Sequence, residues 1–175
     1  MLPLYQNLQM KIIGLCGKKR SGKSSAAEHL QHIIGDHCYR FSFADQIKSE
    51  VGKIFGKYRE DRKETLRPVY QSVGEAAKQL FGTTVWVDKL ADKLSRLEDP
   101  NAVVVIDDVR FPIESEWVRS MGGVVWRIRR PATDCIEDSH VSETSVDLIT
   151  PDEIVFNDST PLNFYDRITK LYNCH

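Results

Sequence analysis

The chain has no long apolar run. Nothing in it approaches the roughly 20 residues needed to cross a bilayer, so no membrane partner is expected. Charge of one sign is also missing: 24 Lys and Arg stand against 25 Asp and Glu, a net charge of −1. That balance argues against nucleic-acid binding by the surface as a whole and leaves at most a local basic patch. Cysteines are few. Cys16, Cys38, Cys135 and Cys174 are scattered, with no C-x-x-C pair and no zinc spacing. They read as the reduced thiols of a cytosolic protein. No internal repeat or low-complexity tract is visible. Met1 to Gln9 lacks the basic and apolar regions of a signal peptide. Met10 directly precedes the first expected strand, so these nine residues read as a dispensable extension or an upstream start.

What is present begins at Gly17. Residues 17 to 24 read Gly-Lys-Lys-Arg-Ser-Gly-Lys-Ser, the complete G-x-x-x-x-G-K-[ST] pattern. In that pattern backbone N–H groups cradle phosphate oxygens, the lysine reaches the outer phosphates of ATP or GTP, and the last hydroxyl ligates Mg²⁺. Lys11 to Cys16 ahead of it is a short apolar run suited to a buried strand. Lys23 to Ile34 behind it has helical spacing, with Ala26, Ala27, Leu30, Ile33 and Ile34 on one face. Strand, glycine loop and helix in that order is the setting the pattern requires.

The rest of the chain, 175 residues in all, alternates in the same way. Cys38–Phe43 reads as a strand and Ala44–Phe55 as a helix. Lys57–Arg67 is a charge run, a solvated loop and helix start. Pro68–Phe81 and Val85–Leu97 read as helices, and Ala102–Ile106 as the most apolar and therefore central strand. Pro112–Met121 reads as a helix stopped by Gly122 and Gly123, Val124–Ile128 as a strand, Ile154–Asn157 as a last strand and Leu162–Leu171 as a last helix. This order implies an α/β fold: a three-layer α/β/α phosphate-loop NTPase with a five-stranded parallel sheet. One domain is expected, with a core of residues 10–43, 101–130 and 152–175. Two excursions leave it, a helical one (44–100) suited to a phosphate acceptor and a polar one (131–151) suited to a lid. Ligands in such sheets bind outside the carboxyl ends of the strands. The phosphate loop, Asp45, Asp107–Arg110 and Arg129–Arg130 should therefore converge there.

Taken together the motifs resemble the phage-type deoxynucleoside monophosphate kinases, a branch of the adenylate-kinase-like kinases. Lys19-Arg20-Ser21-Gly22-Lys23 is similar to that family's R-S-G-K loop. Phe43-Ala44-Asp45-Gln46-Ile47-Lys48 resembles its F-A-D-x-[LI]-K segment. Arg67, Gln71 and Gly74, followed by Trp86-Val87, resemble its R-x-x-x-Q-x-x-G and W-V positions. Asp108 to Pro112 with Glu114 is similar to its D-x-R-F-P-x-E run. Arg129-Arg130-Pro131, His140 to Glu143 and Asn157-Asp158-Ser159 match further short motifs. Two positions depart from the pattern: Ser24-Ser25 replaces a common Asp-Thr, which restores the hydroxyl for Mg²⁺, and Gln46 replaces a usual proline.

The resemblance implies transfer of the γ-phosphoryl of ATP, with Mg²⁺, to a small-molecule nucleoside monophosphate, by a cytoplasmic monomer or homodimer with no nucleic-acid partner. If the chain is viral, the compartment is the host cytoplasm. The acceptor phosphate has a second pKa of about 6, so it is largely dianionic and needs no general base. Catalysis is then positioning plus cations. Gly17, Lys19, Arg20, Ser21, Gly22, Lys23, Ser24, Ser25 and Asn157 are the expected ATP site. Lys23 would bridge the outer phosphates and Ser24 would ligate Mg²⁺, with Asp108 supporting the ion through water beside Arg110. Arg129 and Arg130 would neutralise transferring charge, unless one caps the strand end or pairs with Glu137 or Asp138. Asp45, Lys48, Arg67, Gln71 and Trp86 are the expected acceptor site. For Asp45 an N-cap role is the alternative, and for Trp86, core packing. His140 reads as structural, bonded to Ser142 or Glu143. Asp108 is preferred to Asp107 because neighbouring strand residues face opposite ways. Other open readings are a kinase of the dephospho-coenzyme A or phosphomevalonate type, and a switch that hydrolyses nucleotide without transfer.

Overall fold

A computed structural model describes residues 10–56, 63–134 and 144–175. It divides into two compact units, residues 42–97 and the remainder of the chain.

The larger unit holds a parallel sheet. Its strands are β1 (Lys11–Cys16), β2 (Cys38–Phe41), β3 (Val103–Val109), β4 (Val124–Arg129) and β5 (Glu153–Phe156), in the spatial order β2-β3-β1-β4-β5. Every pairing is parallel. β1 is central and apolar on both faces, as a doubly covered strand must be. Ile13 and Leu15 point to one face, where α1 (Lys23–Ile34) supplies Ala26, Ala27 and Leu30, and the C-terminal helix (Pro161–Cys174) supplies Phe164 and Ile168. Gly14 points to the other face. A Cβ there would meet Val118 of the helix Pro112–Ser120 at 3.3 Å. Helices therefore cover both faces, giving the three-layer fold. The strand order reverses at β1, so a crevice opens at its carboxyl end, where the phosphate loop begins.

The smaller unit is helical: α2 (Phe43–Phe55), α3 (Lys63–Phe81) and α4 (Val85–Leu94). In chain order the helices of the larger unit that follow are α5 (Pro112–Ser120), α6 (Pro131–Asp134) and α7 (Pro161–Cys174). Gly74 lets α2 approach α3, since a Cβ on it would lie 3.0 Å from Ile47 Cδ1. The Trp86 indole N–H donates to the Gly74 carbonyl at 3.0 Å, and Lys89 bonds Glu50 at 2.8 Å, tying α4 to both neighbours.

Several boundaries differ from the sequence reading. β3 runs to Val109 instead of ending at Ile106. α3 spans Lys63–Phe81 with Pro68 inside it, so the proline gives up a backbone bond without marking the helix start. β2 ends at Phe41, leaving Ser42 as the N-cap residue of α2. Asp45 lies in the first turn and not at the cap, so its alternative role as N-cap is corrected. Cys16 and Cys38 are buried, and with Cys174 they are free thiols; burial pushes the Cys16 and Cys38 thiols up. Among the described residues no helix is long and apolar enough to cross a membrane.

Candidate active site

The loop between β1 and α1 takes its shape from two glycines and a lysine. Gly17 has φ 141° and Gly22 φ 110°, both in the region that side chains disfavour. A Cβ at Gly17 would lie 2.3 Å from the Ile128 carbonyl of β4, so only glycine lets the loop leave the sheet there. Arg20, at the exposed apex, also has positive φ, 64°. Gly22 is the N-cap residue of α1, and its carbonyl accepts the Ala26 N–H at 2.9 Å. The first turn of α1, with Lys23, Ser24 and Ser25, leaves amides without intrahelical acceptors and carries the positive end of the helix dipole. That is an anion site by construction.

Lys23 is only 8% exposed. Its ammonium donates back to the Gly17 carbonyl at 2.6 Å and the Lys18 carbonyl at 2.8 Å. The cation is thus strapped across the loop before any phosphate arrives. Ser24 is exposed and Ser25 half-buried. Lys18 reaches Asp147 Oδ2 at 2.6 Å, an exposed contact worth little stability alone.

The carboxyl end of β3 does not keep strict alternation. Gly14 aligns with Ile106 and Cys16 with Val109, so three steps on β3 match two on β1. This bulge resets the faces: Val109 packs on Gly14 from the α5 side, the side of Ile106. The parity argument separating Asp107 from Asp108 therefore fails and is corrected. One contact of Asp107 is clear. Asp107 is held by Arg40 of β2, a neighbouring strand, at 3.0 Å. Asp108 is half-buried just beyond it. Arg110 follows the strand, and its backbone is fixed by Glu114. This carboxylate, 6% exposed, accepts the N–H groups of Arg110 at 2.7 Å and Phe111 at 3.0 Å. Glu114 thus reaches back from the first turn of α5, as in one half of a capping box.

Arg129 and Arg130 close β4, both exposed. The Arg129 guanidinium lies 5.9 Å from the Phe156 ring centre, and the Arg130 carbonyl accepts Thr133 N–H and Oγ1–H, each at 2.8 Å. Glu137, Asp138, His140, Ser142 and Glu143 lie outside the described residues, so the pairings read for them do too. The end of the polar excursion is fastened down. Arg127 donates to the Val146 carbonyl at 2.7 Å and to the Ile149 carbonyl. Arg119 bonds the Thr150 carbonyl and Asp152, and Asp152 accepts the Val125 N–H at 2.7 Å. Val146 and Ile149 are buried. The C-terminal end of the 131–151 excursion is therefore bonded to the sheet unit.

Asn157 stands just past β5 and bonds the phosphate loop: its Nδ2 donates to the Ser21 carbonyl at 2.9 Å. Arg127, Asp147 and Asp152 were missed in the sequence because each partner lies 19 or more positions away in the chain and no motif marks it.

In the helical unit Asp45 and Lys48 pair with each other at 2.9 Å. Arg67 and Gln71, both half-buried, lie four apart on α3, with Gly74 one turn further along. Trp86 is 4% exposed, and its N–H is used on Gly74. A base has no ring face to stack on, so its acceptor role is corrected to core packing.

A parallel sheet, a strand-loop-helix anion site and a buried loop lysine define a P-loop kinase. The solved structures agree on the fold. Dephospho-CoA kinase from Campylobacter jejuni is 15% identical with a TM-score of 0.55, covering 94% of this chain and 96% of its own. Shikimate kinase from Acinetobacter baumannii, solved in complex with shikimate, is 12% identical with a TM-score of 0.52, over 98% and 96%. The family model for deoxynucleotide monophosphate kinase matches residues 65–168, and the chain belongs to that family. A protein of Acanthamoeba polyphaga mimivirus, named for a proposed deoxynucleotide monophosphate kinase activity, is 30% identical over 91% of this chain and 94% of its own length. ORF77 of Ictalurid herpesvirus 1, strain Auburn, uncharacterised, is 29% identical over 90% of this chain and 68% of its own. The chain is therefore a nucleotide-binding phosphotransferase.

Proposed function

We propose that this kinase transfers the γ-phosphoryl of ATP, with Mg²⁺, to a deoxynucleoside monophosphate, releasing ADP and the diphosphate. The observation carrying the donor half is Lys23, buried and strapped across a loop whose glycines hold it open. An incoming triphosphate would exchange for the two carbonyls on the ammonium. The Ser24 hydroxyl and the Asp108 carboxylate are oxygen donors that suit Mg²⁺, which keeps several waters and leans on substrate phosphates. Among the described residues no group of three or more His, Cys, Asp or Glu could hold a metal by itself. When bound, Mg²⁺ would neutralise charge developing on the phosphoryl oxygens. Arg110, whose backbone Glu114 fixes, and the exposed Arg129 and Arg130 would share that task.

The acceptor half rests on family membership and on Arg67 and Gln71 of the helical unit. A guanidinium fork suits a phosphate, and a carboxamide suits a base edge. Asp45 and Lys48 belong to the same proposed site, their ion pair opening to meet the acceptor. The test is ADP release from ATP with each deoxynucleoside and nucleoside monophosphate, with dephospho-coenzyme A and phosphomevalonate as rival acceptors. Turnover with a deoxynucleoside monophosphate well above all others is expected. Turnover only with a rival acceptor, or equal ADP release without any acceptor, would overturn the assignment.

A further inference from the structure

Asn157 joins two parts of the site that are far apart in the chain. Its backbone N–H donates to the Arg129 carbonyl at 2.8 Å. Its side-chain Nδ2 donates to the Ser21 carbonyl at 2.9 Å, across 136 positions. Only the amide nitrogen of an asparagine can donate to a carbonyl, so the contact fixes which way the carboxamide faces. Room for it comes from Gly22: a Cβ there would lie 2.6 Å from Nδ2. The second loop glycine is thus required by its own φ and again by Asn157. The Ser21 hydroxyl, 1% exposed, has no hydrogen-bond partner among the described residues, so it does not anchor this peptide. Asn157 does.

The peptide is trans. In a trans peptide the carbonyl and the following N–H point opposite ways. Drawing the Ser21 carbonyl toward Asn157 turns the Gly22 N–H away from it, to the concave side where loop amides meet phosphate oxygens. We propose that Asn157 is a positioning residue of the phosphate loop, aiming the Gly22 N–H at the nucleotide's phosphates by holding the Ser21–Gly22 peptide, without touching the base. The idea rests on the loop being a phosphate site and not on the acceptor's identity.

Binding of ATP and of inorganic tripolyphosphate, measured by calorimetry on the full chain, tests it. Asn157→Ala and the near-isosteric Asn157→Asp should weaken both ligands by a similar factor, about tenfold for one hydrogen bond to a charged group, with melting temperature little changed. Asp158→Asn breaks the neighbouring 2.7 Å contact with Arg167 and should leave both affinities as they were. In the natural chain the Gly22 amide resonance should shift when tripolyphosphate is added, a reading that needs no variant to fold. A loss confined to ATP would mean a direct base contact and overturn the proposal. Unchanged affinities, an equal loss in Asp158→Asn, or a silent Gly22 amide would overturn it as well. If the natural chain binds neither ligand, the phosphate-loop reading itself falls, an outcome distinct from any of these.

Discussion

At the residue scale the site divides between groups that hold ligand and groups that hold those groups. The proposal for Asp107 and Asp108 puts that division to the test. Asp107 is spent on Arg40, and both are mostly buried. Removing its charge should cost about 1.5–3 kcal/mol of stability, the range for a hydrogen bond to a charged group, and lower the melting temperature with modest change in kcat. Asp108→Asn should act the other way: near-normal melting, kcat down roughly 10- to 100-fold, as for a group that supports a metal from its outer shell, and a higher Mg²⁺ requirement. A larger kcat loss at Asp107 would reverse the assignment. The loop residues 17 to 25 were legible in the sequence because they are contiguous and each has one chemical task. The alternation argument between Asp107 and Asp108 failed because a bulge depends on how β3 meets β1 and leaves no mark in β3 alone. Trp86 misled for a related reason: the chain order does not say whether a ring packs inward or faces a ligand.

At the scale of elements, most strands and helices were readable from period and punctuation. Strand ends were less so, because β3 continues through two aspartates, the first held by Arg40 of a neighbouring strand. The α2–α3 contact has a sharper consequence. Gly74 sits with Ile47 Cδ1 3.0 Å from where its Cβ would be, and its carbonyl holds Trp86. Alanine gains helix propensity and needs only a small shift of a flexible methyl. Valine adds two more carbons in the same gap. Gly74→Val should therefore destabilise by roughly 1–3 kcal/mol, the usual range for overpacking, seen as a lower midpoint in urea. Adding Ile47→Ala should recover part of that loss. Additive losses in the double variant would show that the two side chains do not meet.

At the scale of the whole molecule, the parallel sheet and its helical layers followed from the alternation of elements. The strand order and the fastening of residues 146–152 did not, because both depend on pairings between distant segments. The division into a sheet unit and a helical unit gives the acceptor proposal a kinetic form. If the helical unit takes the monophosphate, Arg67→Ala should raise KM for the monophosphate tenfold or more, the size of a lost charged hydrogen bond, and leave KM for ATP nearly unchanged. A selective rise in KM for ATP would show that the two substrates had been assigned to the wrong units.

The arginine fastening also bears on how freely this chain can change length. Thr133 is bonded back to Arg130 on one side, and Val146 and Ile149 to Arg127 on the other. Both ends of the intervening segment are thus set by the sheet unit, independently of what lies between. Doubling the distance along the chain between Asp134 and Thr144 with Gly and Ser residues should cost only about 0.6 kcal/mol in closure entropy. The same insertion beside Ile149 would break the arginine's hold. Melting curves of the two insertions should differ clearly, and equal curves would mean that Arg127 fastens nothing. Tolerance of added chain at 135–143 beside intolerance at Ile149 would then mark where the fold ends its hold on this part of the sequence.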